Sequence, residues 1–349
     1  MQGCISVKRL TWVALAMTLL VIALGAYTRL ADAGLGCPDW PGCYGKIAVP
    51  MQAEEIAQAQ QRFPERVLEV EKAWLEMIHR YFAGTLGLVV FALSFLLWKN
   101  SVTSKVLPVV LSGVIIAQAA LGMWTVTLKL MPAIVMLHLL GGFTLFSLLT
   151  LLQCHLRSAS LACSQLPHST LRSVRGIAVC ATLVLVVQIM LGGWTSANYA
   201  ALMCSSLPIC EGEWQNHLDF YNGFNLVQTG FDNYEFGVLD YSARMTIHVT
   251  HRVGAMVTSI ALLALIVQLW RTSLIAARGY ATAIGIGLII QLGLGMANVV
   301  FHLPLLNAVM HNLGAALLLV TLVATQYFLW MKVSALRART HEAEREYLL

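Results

Sequence analysis

The chain has 349 residues, of which 58% are hydrophobic and only 11% charged, against about 25% charged in ordinary soluble domains. That balance excludes a soluble enzyme and points to a protein that crosses a membrane many times. The net charge of +5 calls for no nucleic-acid partner, because the cations fall where the positive-inside bias of membrane proteins places them.

Apolar runs of about 18 or more residues, long enough to cross a bilayer, occur near 10–28, 77–98, 106–128, 132–153, 174–196, 245–270, 276–300 and 304–331. They predict eight transmembrane helices. Lys8 and Arg9 precede the first, and Lys99, Lys105, Arg157, Arg172, Arg175, Arg271, Arg278, Lys332, Arg337 and Arg339 gather at the even-numbered ends, whereas the opposite short loops hold only Lys129. Both termini are therefore expected on the cytoplasmic face of the inner membrane. Lys8, Arg9 and the Ala31-Asp32-Ala33 stretch resemble a cleavable signal, but a related segment recurs mid-chain as a span, so the first span is expected to be retained.

In chain order, the first span ends LGAYTRL and enters a loop with Cys37 and Cys43; the fifth ends LGGWTSA and enters a loop with Cys204 and Cys210. Each cysteine pair is six residues apart, and Gly25 to Cys37, like Gly192 to Cys204, is twelve. Gln118 precedes His138 by twenty residues, as Gln291 precedes His311, and His79-Arg80 recurs as His251-Arg252. The expected fold is an all-α integral membrane protein whose eight helices form two tandem-duplicated four-helix bundles. Residues 1–160 form the first half and 161–349 the second, with a charged cytoplasmic tail; the polar stretch 156–173 divides them. Residues 50–72, broken by Pro64, read as a short surface helix, and the aromatic-rich loop 211–243 as one lying at headgroup level.

Ionisable side chains within hydrocarbon mark functional sites. His79, His138, His251 and His311 are expected about five to seven residues inside the outer helix ends, roughly 8 to 10 Å deep. An imidazole on the second helix of each half can then face one on the fourth, as a ready axial pair for a haem iron. A zinc or copper site fits less well, because each half offers two nitrogens and no clustered thiolate at that depth. Arg80 and Arg252 suit haem propionates, with Arg29 and Arg244 as further candidates. Cys37 with Cys43, and Cys204 with Cys210, are expected to form disulfides on the oxidising side, structural or redox-active; Cys4, Cys154, Cys163 and Cys180 are expected to be free. Glu76 stands three residues before His79, where the second half has His248 before His251. A carboxylate in one half only is a candidate proton acceptor or donor, or else the partner of Arg80 or Lys72.

The stretch GAYTRLADAGLGCPDWPGCYG, followed by ExxHR in the second span, the duplicated unit and the paired histidines, resembles the haem A synthase family over nearly all of residues 10–332. The resemblance implies a membrane oxidoreductase that oxidises the C8 methyl of haem O to the formyl group of haem A by successive oxygenations, with molecular oxygen as oxidant, for cytochrome oxidase biogenesis. It implies a permanent haem b on His251 and His311, the substrate haem on His79 and His138, Glu76 as catalytic carboxylate, and Cys37 with Cys43 as the family's outer-loop pair. Haem O synthase and cytochrome oxidase assembly factors are the implied partners besides membrane lipid, and an oligomer is compatible with it. His248 and His302 match no role in the family. From the residues alone, the alternative is a di-haem b-type electron-transfer cytochrome, which would need neither a carboxylate in one half nor an outer cysteine pair. A repeat-built transporter would not need matched histidine pairs.

Overall fold

The computed structural model describes residues 2–157, 168–208, 210–272 and 274–346. The expected boundary between the halves, at 160/161 within 156–173, falls largely outside these residues, as does Cys163, and the side chains of Cys4, Lys332, Arg337 and Arg339 are likewise outside the description. The described chain is helical: α1 Gln2–Leu30, α2 Ala53–Arg62, α3 Val70–Asn100, α4 Val106–Thr127, α5 Pro132–Arg157, α6 His168–Ala197, α7 Phe220–Gly223, α8 Tyr241–Arg271, α9 Ile275–Val300 and α10 Leu305–Glu346. Among the described residues, eight helices are long and apolar enough to cross a membrane: α1, α3, α4, α5, α6, α8, α9 and α10. These are the eight expected spans.

Two boundaries differ from expectation. Helix α3 begins at Val70 and α8 at Tyr241, so His79 and His251 lie farther from their helix starts than His138 and His311 do from Pro132 and Leu305. The α8 extension is capped by Asp240, whose carboxylate accepts from the Ala243 N–H at 2.9 Å. Pro132 opens α5 and Pro304 immediately precedes α10, where a missing N–H costs nothing. The expected surface helix is α2, which ends before Pro64.

Helix packing follows the same order in each half. Helix α1 packs on α3 and α5, with α4 closing the ring between α3 and α5; α6 packs on α8 and α10, with α9 closing the ring between those. The two rings join through α1, α5, α6 and α10. Local backbone echoes this: Lys129 and Leu130 between α4 and α5 have φ of 47° and 63°, and His302 and Leu303 between α9 and α10 have 56° and 62°. His302 is thus the exposed counterpart of Lys129 in a left-handed turn, which explains why no ligand role fits it.

Toward the end bearing the termini, the bundle is a dry core that includes Leu97, Leu152, Leu171, Leu269, Ala277 and Leu329. Large apolar side chains such as Leu88, Ile260 and Ile289 remain exposed on the outside of the bundle, as the hydrocarbon of a bilayer permits. At the end bearing the disulfide loops the interior is hollow, and the histidines lie there.

Candidate functional site

A cavity of about 2120 Å³ opens among the helices, lined by His79, His138, His251 and His311 and by residues of both halves. Ordinary ligand pockets hold about 300–1,000 Å³, so this one has room for more than one large planar ligand.

Each of the four imidazoles lies against a glycine of the neighbouring helix. A Cβ built on Gly25 would stand 2.8 Å from His79, on Gly122 3.3 Å from His138, on Gly192 3.1 Å from His251, and on Gly295 3.2 Å from His311. At Gly25 the ring leaves no room for a side chain, and at the other three a Cβ would fit only if the ring gave way by a few tenths of an ångström. The glycines are the LG landmarks of the repeat, which the sequence displays without revealing what they seat.

The rings of His79 and His138 face one another with centroids 6.5 Å apart and planes at 85°. Metal–imidazole bonds of about 2 Å on both sides would set two axial rings roughly 6 Å apart, so the gap suits one iron. The Nδ1 atoms of His79, His138 and His311 are buried without a formed hydrogen bond, and these rings lie against the backbone of Val21, Gln118 and Gln291, so no side chain claims these nitrogens. Among the described residues, no group of three or more His, Cys, Asp or Glu could hold a metal ion. Two imidazoles per half are the available donor set, and they fit a porphyrin-held iron.

Glu76 is buried, and its two oxygens are used differently. Oε1 pairs with Nη2 of Arg80, while Oε2 accepts from the backbone N–H of Cys37 at 2.9 Å. Arg80 also donates through Nη1 to the carbonyls of Asp39 at 2.9 Å and Pro41 at 3.3 Å, and to that of Gly42. The pairing with Arg80 foreseen for Glu76 therefore exists, and Lys72 pairs with Glu69 instead. Both partners of the ion pair hold the Cys37 loop.

The second half repeats the arginine part of this wiring with an imidazole in place of the carboxylate, while Nδ1 of His248 is buried without a partner where Glu76 holds the Cys37 N–H. Nε2 of His248 accepts from Nε of Arg252 at 3.0 Å. Arg252 then donates to the carbonyls of Cys204 at 2.7 Å, Ser206 at 2.6 Å and Pro208 at 3.4 Å. His248 is thus the structural counterpart of Glu76, whereas His251 is the one seated on glycine.

The guanidinium groups of Arg80 and Arg252 are spent on loop carbonyls rather than left free for propionates. Arg29 and Arg244 also line the cavity, each with a buried, unpartnered Nε. Arg29 donates to the Ser196 carbonyl at 2.6 Å and lies 4.0 Å above the Tyr199 ring, so it bridges the halves. The acidic residues that line the cavity, Asp32 and Glu76, both come from the first half.

Cys37–Cys43 and Cys204–Cys210 are paired, with Cα–Cα distances of 4.8 and 4.9 Å. Cys154 and Cys180 are free. The two disulfide-bearing sides are tied together by the loop before α8. Arg66 holds Glu235 by two hydrogen bonds of 2.8 and 3.1 Å, and the Tyr234 N–H donates to the Lys129 carbonyl at 3.1 Å. Burial alone would raise the Glu235 carboxyl, but the bonds and charge of Arg66 outweigh it and hold it below the usual range. The aromatic residues of this loop divide: Phe220, Tyr221 and Phe236 are exposed, Phe236 also lining the cavity, while Tyr234 is buried.

Residues 8–323 match the family described as cytochrome oxidase assembly protein, COX15-CtaA. The heme A synthase of Shewanella oneidensis is 53% identical over 330 residues, which cover 94% of this chain and 98% of that protein. The heme A synthases of Caulobacter vibrioides and Rickettsia bellii are 26% and 25% identical, over 90% and 87% of this chain and 92% of each relative.

Proposed function

We propose, from the premise that this chain belongs to the COX15-CtaA family of cytochrome oxidase assembly proteins, a division of the haem A synthase reaction between its halves. The enzyme converts haem O to haem A, oxidising the C8 methyl to a formyl group. The first half receives haem O between His79 and His138, and the second holds a resident haem b between His251 and His311. The observation that carries this is the asymmetry of the cavity: all four imidazoles are seated against a glycine, but among the described residues the lining carboxylates, Asp32 and Glu76, both belong to the first half.

A bound haem b supplies one-electron chemistry to the substrate side. The residues of the chain do the rest. The paired imidazoles orient the macrocycle, the dry core below excludes water, and Glu76 stands at the cavity wall as the group that accepts or donates protons at its carboxylate oxygens. Arg29 and Arg244 are the cations for propionates, in preference to Arg80 and Arg252, whose donors anchor the disulfide loops. Molecular oxygen is the oxidant. The eight spans place the protein in a membrane; we assign it to the inner membrane with both termini cytoplasmic, working with haem O synthase upstream and cytochrome oxidase assembly factors downstream.

Expression in membranes that contain haem O, followed by identification of extracted pigments by mass, tests the reading. Haem A together with haem b is expected. Two equivalents of haem b, with haem O left unconverted, would replace the synthase by an electron-transfer cytochrome.

A further inference from the structure

The four histidine seats differ in one respect. In three of them a glutamine stands four residues before the seating glycine, and a second glycine three residues after the histidine: Gln188 and Gly254 flank the His251 seat in this way, Gln291 and Gly314 the His311 seat, Gln118 and Gly141 the His138 seat. The glutamine amide occupies the space above the second glycine, so a Cβ at Gly254, Gly314 or Gly141 would collide with it. From there Nε2 of Gln188 donates to the His251 carbonyl at 3.0 Å and lies 3.1 Å from its Nδ1. Nε2 of Gln291 donates to the His311 carbonyl at 2.9 Å. In the second half, therefore, each histidine's helix is tied to its neighbour at the histidine itself.

The His79 seat has neither part of this bracket. Val21 stands four residues before Gly25, and Phe82 three residues after His79. Valine has no side-chain donor, so Val21 meets the His79 ring only through its backbone, and Phe82, which is exposed, replaces the glycine over which the other seats place an amide.

We propose that the missing bracket makes His79 the exchangeable histidine of the four, and that Gln188 and Gln291 are positioning residues that make the second-half seat retentive. The inference rests on the proposed division of the halves and adds which ligand yields. A substrate macrocycle has to enter and its product has to leave at every turnover, and a resident one has to stay. Hydrogen bonds that orient a ligating histidine change affinity by about 10- to 100-fold when removed, which is enough to separate the two behaviours.

The test follows haem release from the detergent-solubilised full chain loaded with haemin, using excess apomyoglobin as acceptor. The wild type should show a fast and a slow phase, with His311→Ala abolishing the slow one. Val21→Gln with Phe82→Gly, which installs the fourth bracket, should slow the fast phase about 10- to 100-fold. Gln188→Met, of similar length but without the amide, should speed the slow phase by a similar factor and shift the midpoint potential of the second-half pigment, with the melting temperature unchanged. Release rates unaltered by the installed bracket and by Gln188→Met, or a fast phase that belongs to the second half, would overturn the inference. Failure of the proposed activity reads out separately, as absence of haem A in the extracted pigment, and leaves the ratio of release rates standing.

Discussion

The backbone N–H of Cys37 donates to the carboxylate of Glu76 at 2.9 Å, joining the disulfide loop directly to the acidic group on the cavity wall. A change at either partner is therefore felt by the other. Glu76 has two separable tasks, holding the loop through Arg80 and Cys37 and handling protons at the cavity.

Substitution separates them. Glu76→Gln removes the charge opposite Arg80, and breaking a buried pair by one partner costs about 3–5 kcal/mol, reduced here because Arg80 keeps its loop carbonyls. Glu76→His copies the His248–Arg252 arrangement of the second half and should keep Arg80 on the loop carbonyls, losing only the Cys37 N–H bond. Glu76→His is expected to melt closer to wild type than Glu76→Gln, while both accumulate haem O or its alcohol with little haem A. Pigment analysis beside thermal melts checks this; haem A at the normal rate in either variant removes the catalytic role.

The division of the halves predicts unequal histidine variants. His251→Ala and His311→Ala should lower the haem b that copurifies, whereas His79→Ala should leave haem b in place and abolish haem A formation. Haem content per polypeptide, measured after purification, decides it. Equal loss of haem b from all variants would refute the assignment.

The glycine seats predict a graded series. Gly25→Ala places its Cβ 2.8 Å from His79, closer than the 3.3 Å of Gly122→Ala from His138, and should displace the ring more. Gly113→Ala, away from the cavity, meets nothing within 4 Å and should be neutral or gain up to about 1 kcal/mol from helix propensity. Haemin affinity of the first half should fall in the order Gly113→Ala, Gly122→Ala, Gly25→Ala.

The Arg66–Glu235 pair predicts a pH dependence. Because the folded Glu235 carboxyl is held below its usual range, its contribution is fully present above the ordinary glutamate value of about 4.3. It is lost as pH falls through the lower folded value. The wild-type melting temperature should therefore drop more steeply than that of Glu235→Gln as pH is lowered from about 5. Parallel curves would show that this clasp between the outer loops adds no stability.

Hydropathy, spacing and residue type determined the eight spans, the matched landmarks of the two halves, the four histidines, the cysteine pairs and the odd position of Glu76, because each of these is a local or periodic property of the chain. The pairing of Glu76 with Arg80 was legible too, as an i,i+4 pair on one helix face. Only the tertiary structure decided what faces what across helices and loops. Arg80 and Arg252 look like propionate cations in sequence, yet they turn to carbonyls 41 and 48 residues away, because the packing of the disulfide loops puts acceptors within their reach. The glycines under the imidazoles and the glutamines beside them appear in the sequence only as repeat landmarks, since a seat is formed by two helices and neither carries the other's position. His248 and His251, three residues apart on one helix, were separated by their neighbours alone: Arg252 claims the first, and Gly192 makes room for the second.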